Sequence, residues 1–149
     1  MSMCEEKHDK AFQIHKGRMT KLNQPFHDLM QHLVSERHND PEEQKHFFEN
    51  STRLNIKLLE KILKNPKYKP NLVTVISICK GYKVHGEQAT WLLRSAGHAL
   101  SPYLDLDLCY SFIINSTMTI KESNDFLRWH GFSDVRKLLG SGNYKKQNN

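Results

Sequence analysis

The sequence predicts an all-α fold, a compact multi-helix domain of about seven helices. Apolar residues recur at the three- and four-residue spacing of one helix face in segment after segment. These segments open on Asp, Asn, Ser or Thr and close on Gly or Asn-Pro, the residues that cap and stop helices. No stretch alternates apolar and polar residues as a half-buried strand does. A chain of 149 residues is long enough to bury a core as one domain.

Residues 1–22 are polar and mixed in charge, with Phe12 and Ile14 as the clear anchors, and read as a flexible N-terminal arm or a short helix. The helical domain spans 23–141. The tail 142–149, GNYKKQNN, reads as disordered. From Pro25 onward, Phe26, Leu29, Met30, Leu33 and Val34 repeat as the buried face of a helix that ends near Arg37. Asp40, Pro41 and Glu43 mark the next start, as N-cap, first-turn proline and an acid at the positive helix end. That helix, to residue 52, carries only Phe47 and Phe48 as strong apolar positions.

The stretch 52–83, TRLNIKLLEKILKNPKYKPNLVTVISICKGYK, is the most informative. Leu54, Leu58, Leu59 and Ile62 share one helix face, and Asn55, Lys57, Lys61 and Lys64 occupy the opposite one. Asn65-Pro66 stops this helix, because proline gives no N–H and restricts its predecessor. Lys67, Tyr68, Lys69 and Pro70 form a basic turn. Asn71 then caps a helix with Leu72, Val75, Ile76, Cys79 and Tyr82 on its buried face.

Val84, His85 and Gly86 make a turn. Ala89, Leu92, Leu93 and Ala96 form a further stripe, with Trp91 covering its edge and Gly97 as C-cap. Ser101-Pro102 reads as N-cap and first-turn proline for a helix carrying Leu104, Leu108, Cys109, Phe112 and Ile113. Thr119 and Glu122 form a capping box before Ile120, Phe126 and Leu127, and Gly131 ends that helix. A short turn over 135–139 stops at Gly140.

The net charge is +6. Eight basic residues against the single acid Glu60 fall between Arg53 and Lys83. An amphipathic helix with a basic outer face beside a basic turn is suited to a polyanion. Cys4, Cys79 and Cys109 are odd in number and lack CxxC spacing, which predicts reduced thiols in a cytoplasmic protein. The N-terminal residues hold no signal-peptide run, and no segment approaches the roughly 20 apolar residues of a membrane span. No membrane partner is expected.

Helices at 26–37, 41–52 and 55–64, then 72–82, stand in helix-turn-helix order. FHDLMQHLVSE, LNIKLLEKILKNPKYKPN, NLVTVISICKGYKV, WLLRSAGHALS and LDLCYSFIINSTMTIKESNDFLRWHGFSDVRKLLGS together resemble the Cro/XRE-type helix-turn-helix proteins. The nearest likeness is to a bacterial group, common in clostridia, with a C-terminal helical extension. The resemblance covers about residues 26–141. There are three departures: Thr52 or its neighbours replace the usual small residue of the second helix, the turn Arg53-Leu54-Asn55 lacks glycine, and the family's sixth-helix pattern is followed only loosely. The resemblance implies transcription regulation, with double-stranded DNA as partner and a homodimer on a two-fold site.

By recognition-helix geometry, Asn55 and Lys57 are the base-reading candidates, and Arg53, Lys61, Lys64, Lys67 and Lys69 the phosphate candidates. The alternative is a solvated lysine face. The histidines show no metal spacing: His27 and His32 are five apart, where H-E-x-x-H needs four. No phosphate loop or nucleophile motif appears, so neither a cofactor nor an enzyme activity is expected. Asp105 and Asp107 are two apart and point apart on a helix. Phe126, Trp129 and Phe132 either close the core or form a dimer or partner surface. Two functions follow: a DNA-binding transcriptional regulator, or a non-enzymatic helical adaptor mediating protein–protein interaction.

Overall fold

The computed structural model describes residues 3–22 and 25–140. Among them the chain forms α1 (Met3–Leu22), α2 (Phe26–Arg37), α3 (Pro41–Thr52), α4 (Ile56–Lys64), α5 (Leu72–Gly81), α6 (Gly86–Ser95), α7 (Asp105–Ile114) and α8 (Ile120–Trp129). A short 3-10 helix, Val135–Lys137, follows, and no strand occurs among the described residues. The all-α expectation holds, with eight α-helices rather than seven. The additional one is α1, where a flexible arm or short helix was expected. Its composition carries no apolar stripe, so periodicity is silent there. Phe12 and Ile14 anchor nothing: like every side chain over residues 5–16, they are exposed. The tail 142–149 and the Cys4 side chain lie outside the described residues.

The core is centred on α5. Val75, Ile76, Ser77, Ile78 and Cys79 are buried in succession, so this helix is covered on nearly all sides. It packs against α3, α6, α7 and α8, while α2, α3 and α4 pack on one another. Phe26, Met30 and Val34 from α2, Phe48 from α3, and Leu59 and Ile62 from α4 fill the space between. Each such side chain contributes about 1.5–3 kcal/mol relative to exposure. Gly81 permits the close approach of α3, since a Cβ there would lie 2.9 Å from the Ser51 carbonyl carbon and oxygen.

The helix ends follow the sequence closely. Asp40 accepts from Glu43 N at 3.1 Å and Asn71 from Thr74 N at 2.9 Å. Thr119 and Glu122 form the reciprocal capping box. α5, α6 and α8 share one C-terminal device, in which the residue after the cap is left-handed and the next N–H returns to the helix. Val84 N reaches Cys79 O at 2.8 Å, His98 N reaches Leu93 O at 2.9 Å, and Phe132 N reaches Leu127 O at 2.9 Å. The left-handed residue is Gly97 in α6 and Gly131 in α8, but Lys83 in α5.

The start and face of α7 differ from expectation. Ser101-Pro102 does not cap it; Leu104 is the N-cap, and residues 102–103 form a turn. Ser101 N donates to Asp107 Oδ2 at 2.9 Å, which folds this turn back onto the helix it precedes. The buried face is Cys109, Tyr110, Ile113 and Ile114, leaving Leu104, Leu108 and Phe112 exposed. Within α8, Asn124 straps down the segment that follows the helix: Leu139 N donates to Oδ1 at 2.7 Å and Nδ2 donates to Leu139 O at 2.9 Å. No described helix is long and apolar enough to cross a membrane.

Candidate nucleic-acid interface

Three residues, 53–55, connect α3 to α4, which fits the short turn of a helix-turn-helix unit. The turn manages without glycine because Arg53 itself takes the left-handed conformation, with φ 59° and ψ 28°. Thr52 holds it from below. Its buried hydroxyl donates to Phe48 O at 2.6 Å and accepts from Leu54 N at 3.1 Å. Leu54 is thereby turned into the core.

α4 is sharply two-faced. Leu59 and Ile62 are buried, and Lys57, Lys61 and Lys64 are exposed at the i, i+4, i+7 positions of one outer face. Glu60, the single acid of the basic stretch, is half-buried, and its carboxylate lies 3.5 Å from Lys45 Nζ of α3. That pairing partly offsets the negative charge within the interhelical contact, so it weakens the lysine face less than an unpaired acid would. At the far end of α4, His27 of α2 donates from Nε2 to Leu63 O at 2.8 Å, satisfying one of the orphan carbonyls there.

The basic turn is ordered against this end. Asn65 Oδ1 accepts from Lys67 N at 3.1 Å, and His98 Nε2 donates to Pro70 O at 2.8 Å. Lys61 Nζ stands 4.4 Å from the centre of the Tyr68 ring, a cation–π contact that orients the lysine without neutralising it. Lys67 and Lys69 are exposed. The candidates Lys57, Lys61 and Lys64 thus share a face, with Lys67 and Lys69 in the turn that follows.

Asn55 and Arg53 have structural duties as well. Asn55 is the N-cap of α4, and its Oδ1 accepts from Lys57 N at 2.8 Å. Its carboxamide also carries two N–H donors. Arg53 is half-buried and lines a cleft together with Lys80 and Lys83. His27, Lys45 and Tyr68 were not singled out as supports by sequence reasoning, because each acts across a tertiary contact or a turn. Cys79 is buried, which pushes its thiol up to about 12 and suppresses the nucleophilic thiolate. No family model, curated protein or solved structure matches the chain, so the reading of this face rests on its geometry and charge.

Apolar surface remains on α7 and at the end of α8. Trp129 is 86% exposed and does not close the core, whereas Phe126 and Phe132 are half-buried. Phe112 stacks on Phe126 with ring centres 5.2 Å apart, and together with Leu104 and Leu108 it forms a stripe along α7.

Proposed function

We propose that the chain is a DNA-binding transcriptional regulator of helix-turn-helix type, acting as a dimer on double-stranded DNA. The carrying observation is α4, which follows α3 through a three-residue turn and exposes Lys57, Lys61 and Lys64 while its one acid pairs with Lys45. In this reading the start of α4 enters the major groove. Asn55 and Lys57 face base edges, and Arg53, Lys61, Lys64, Lys67 and Lys69 meet phosphates. The resemblance to Cro/XRE-type proteins supports the same assignment.

The test is duplex binding as a function of salt. Phosphate contacts release counterions, so log K falls with log salt by about 0.9 per contact. Lys64→Ala weakens all duplexes alike and lowers that slope by about one. Association that ignores sequence and vanishes by about 0.15 M salt overturns the reading.

A second reading, a helical adaptor for protein–protein interaction, is favoured by the exposed apolar stripe on α7 and by Trp129. It expects no saturable duplex binding at physiological salt and a protein seated on that stripe.

A further inference from the structure

Beside the α3–α4 turn lies a cleft of about 610 Å³, within the range of small-molecule sites. It is walled by the end of α3, the α5–α6 connection and the loop that enters α8. Its rim carries Arg53, Lys80, Lys83 and His85, and no described carboxylate lines it. Burial lowers the pKa of Lys80, and the charge of Glu122 offsets part of that shift. The floor is apolar, with Cys79, Ile114 and Ile120 buried and Met118 half-buried.

Three features mark the cleft as a built site. Among the described residues, two non-glycine positions have positive φ, Arg53 at 59° and Lys83 at 57°, and both are cations on this rim. Arg53 caps the end of α3 and Lys83 closes the end of α5, so two helix C-termini each bring a cation to one cleft. Lys80 is pinned, its Nζ donating to Ile113 O at 3.0 Å and Ser116 O at 2.9 Å, which leaves one of its three N–H groups. Ser51 lines the cleft with a hydroxyl that is buried and without a hydrogen-bond partner. An unsatisfied buried hydroxyl is destabilising unless something arrives to bond it.

We infer that this cleft binds a small phosphate monoester with an apolar body, its phosphate held by Arg53, Lys83 and the Ser51 hydroxyl, and its body lying on the Cys79–Ile120 floor. Arg53 and Lys83 on one rim, with Lys80 beside them, suit a dianion better than a monocarboxylate. The site does not depend on the DNA-binding reading, although Arg53 belongs to both surfaces.

Calorimetric titration of the full chain at constant ionic strength tests it, with phenyl phosphate as probe and inorganic phosphate, benzoate and phenol beside it. Phenyl phosphate binds saturably, inorganic phosphate and benzoate bind more weakly, and phenol does not bind. Lys83→Gly keeps the left-handed turn, and Ser51→Ala removes a hydroxyl that bonds nothing, so neither lowers the thermal midpoint. Lys83→Gly weakens phenyl phosphate at least about tenfold and Ser51→Ala about threefold. The absence of saturable phenyl phosphate binding, or an affinity unchanged in either variant, overturns the inference. A Lys83→Gly effect on duplex DNA with phenyl phosphate unaffected overturns it likewise, and makes the cleft an extension of the nucleic-acid face.

Discussion

Gly81 near the end of α5 stands directly against Thr52 at the end of α3: a methyl group on Gly81 would lie 2.5 Å from Thr52 Cγ2. The two helices meet here without an intervening side chain, which places the α3–α4 turn on the core. Gly81→Ala gains about 0.5–1 kcal/mol of helix propensity. It also forces an overpacked contact, a strain of roughly 1–3 kcal/mol. The strain dominates, because two of the three nearest atoms are Ser51 backbone and cannot rotate away. Calorimetric melting is expected to show a midpoint lower by several degrees; an unchanged or higher midpoint contradicts the packing argument.

Asn55 offers a separation of stability from recognition. Asn55→Ala removes the cap that Lys57 N donates to, which costs about 0.5–2 kcal/mol of stability. Asn55→Ser keeps an equivalent cap but removes the carboxamide. If the carboxamide reads a base, Asn55→Ser melts like wild type yet loses roughly 1–3 kcal/mol on the preferred duplex and little on random duplex. Equal affinity of Asn55→Ser and wild type for the preferred duplex leaves Asn55 with the cap alone.

Signals carried by a few neighbouring residues were legible in the sequence. Asp40, Asn71 and the Thr119–Glu122 box cap helices as expected, and Gly97 and Gly131 sit where left-handed backbone is required. The lysine face was legible because Leu59 and Ile62 oppose it within one helix. α7 was not, because apolar residues surround it and periodicity cannot choose between Leu104–Leu108–Phe112 and Cys109–Tyr110–Ile113 as the inner face. Packing against α5 and α8 made that choice. The pairing of Glu60 with Lys45, the reach of His27 to Leu63 and the meeting of Arg53 with Lys83 at one cleft are tertiary contacts with no local signature.

Burial of Cys79 sets a pH dependence at the alkaline side. Its thiol is pushed from 9.0 up to about 12 by desolvation. The folded state therefore holds the proton more tightly than the unfolded chain, and this contribution is fully present below pH 9. It is lost as pH rises from about 9 to about 12, because only the unfolded chain gains by ionising over that window. Tyr82 and Tyr110, raised from 10.0 by the same burial, act in the same direction at higher pH. The thermal midpoint is expected to be level from pH 7 to about 8.5 and to fall above about 9. Cys79→Ala melts lower throughout, through its cavity, but stays level to about pH 9.5. A wild-type midpoint that is level through pH 10 refutes the assignment.

The α7 stripe carries the test of self-association. Leu104, the N-cap, is 58% exposed, and Leu108 at 47% and Phe112 at 59% follow it four and eight residues on along α7. Trp129 at the end of α8 adds to the exposed apolar surface, and Phe126 connects α8 to the stripe through its stack on Phe112. Stripes of this kind on helices are usually covered by a partner, and a two-fold pairing of α7 with α7 is self-complementary by construction. Sedimentation of the full chain is expected to show a dimer that Leu108→Lys converts to a monomer. The substitution is at an exposed position, so the monomer should unfold within about 0.5 kcal/mol of the wild-type monomer once concentration is extrapolated out. Dimerisation also predicts that Leu108→Lys weakens binding to a two-fold duplex far more than to a half-site, because linked modules gain by effective concentration. A wild-type chain that sediments as a monomer at high concentration removes self-association from the DNA-binding reading. The stripe then belongs to a different protein, as the adaptor reading requires.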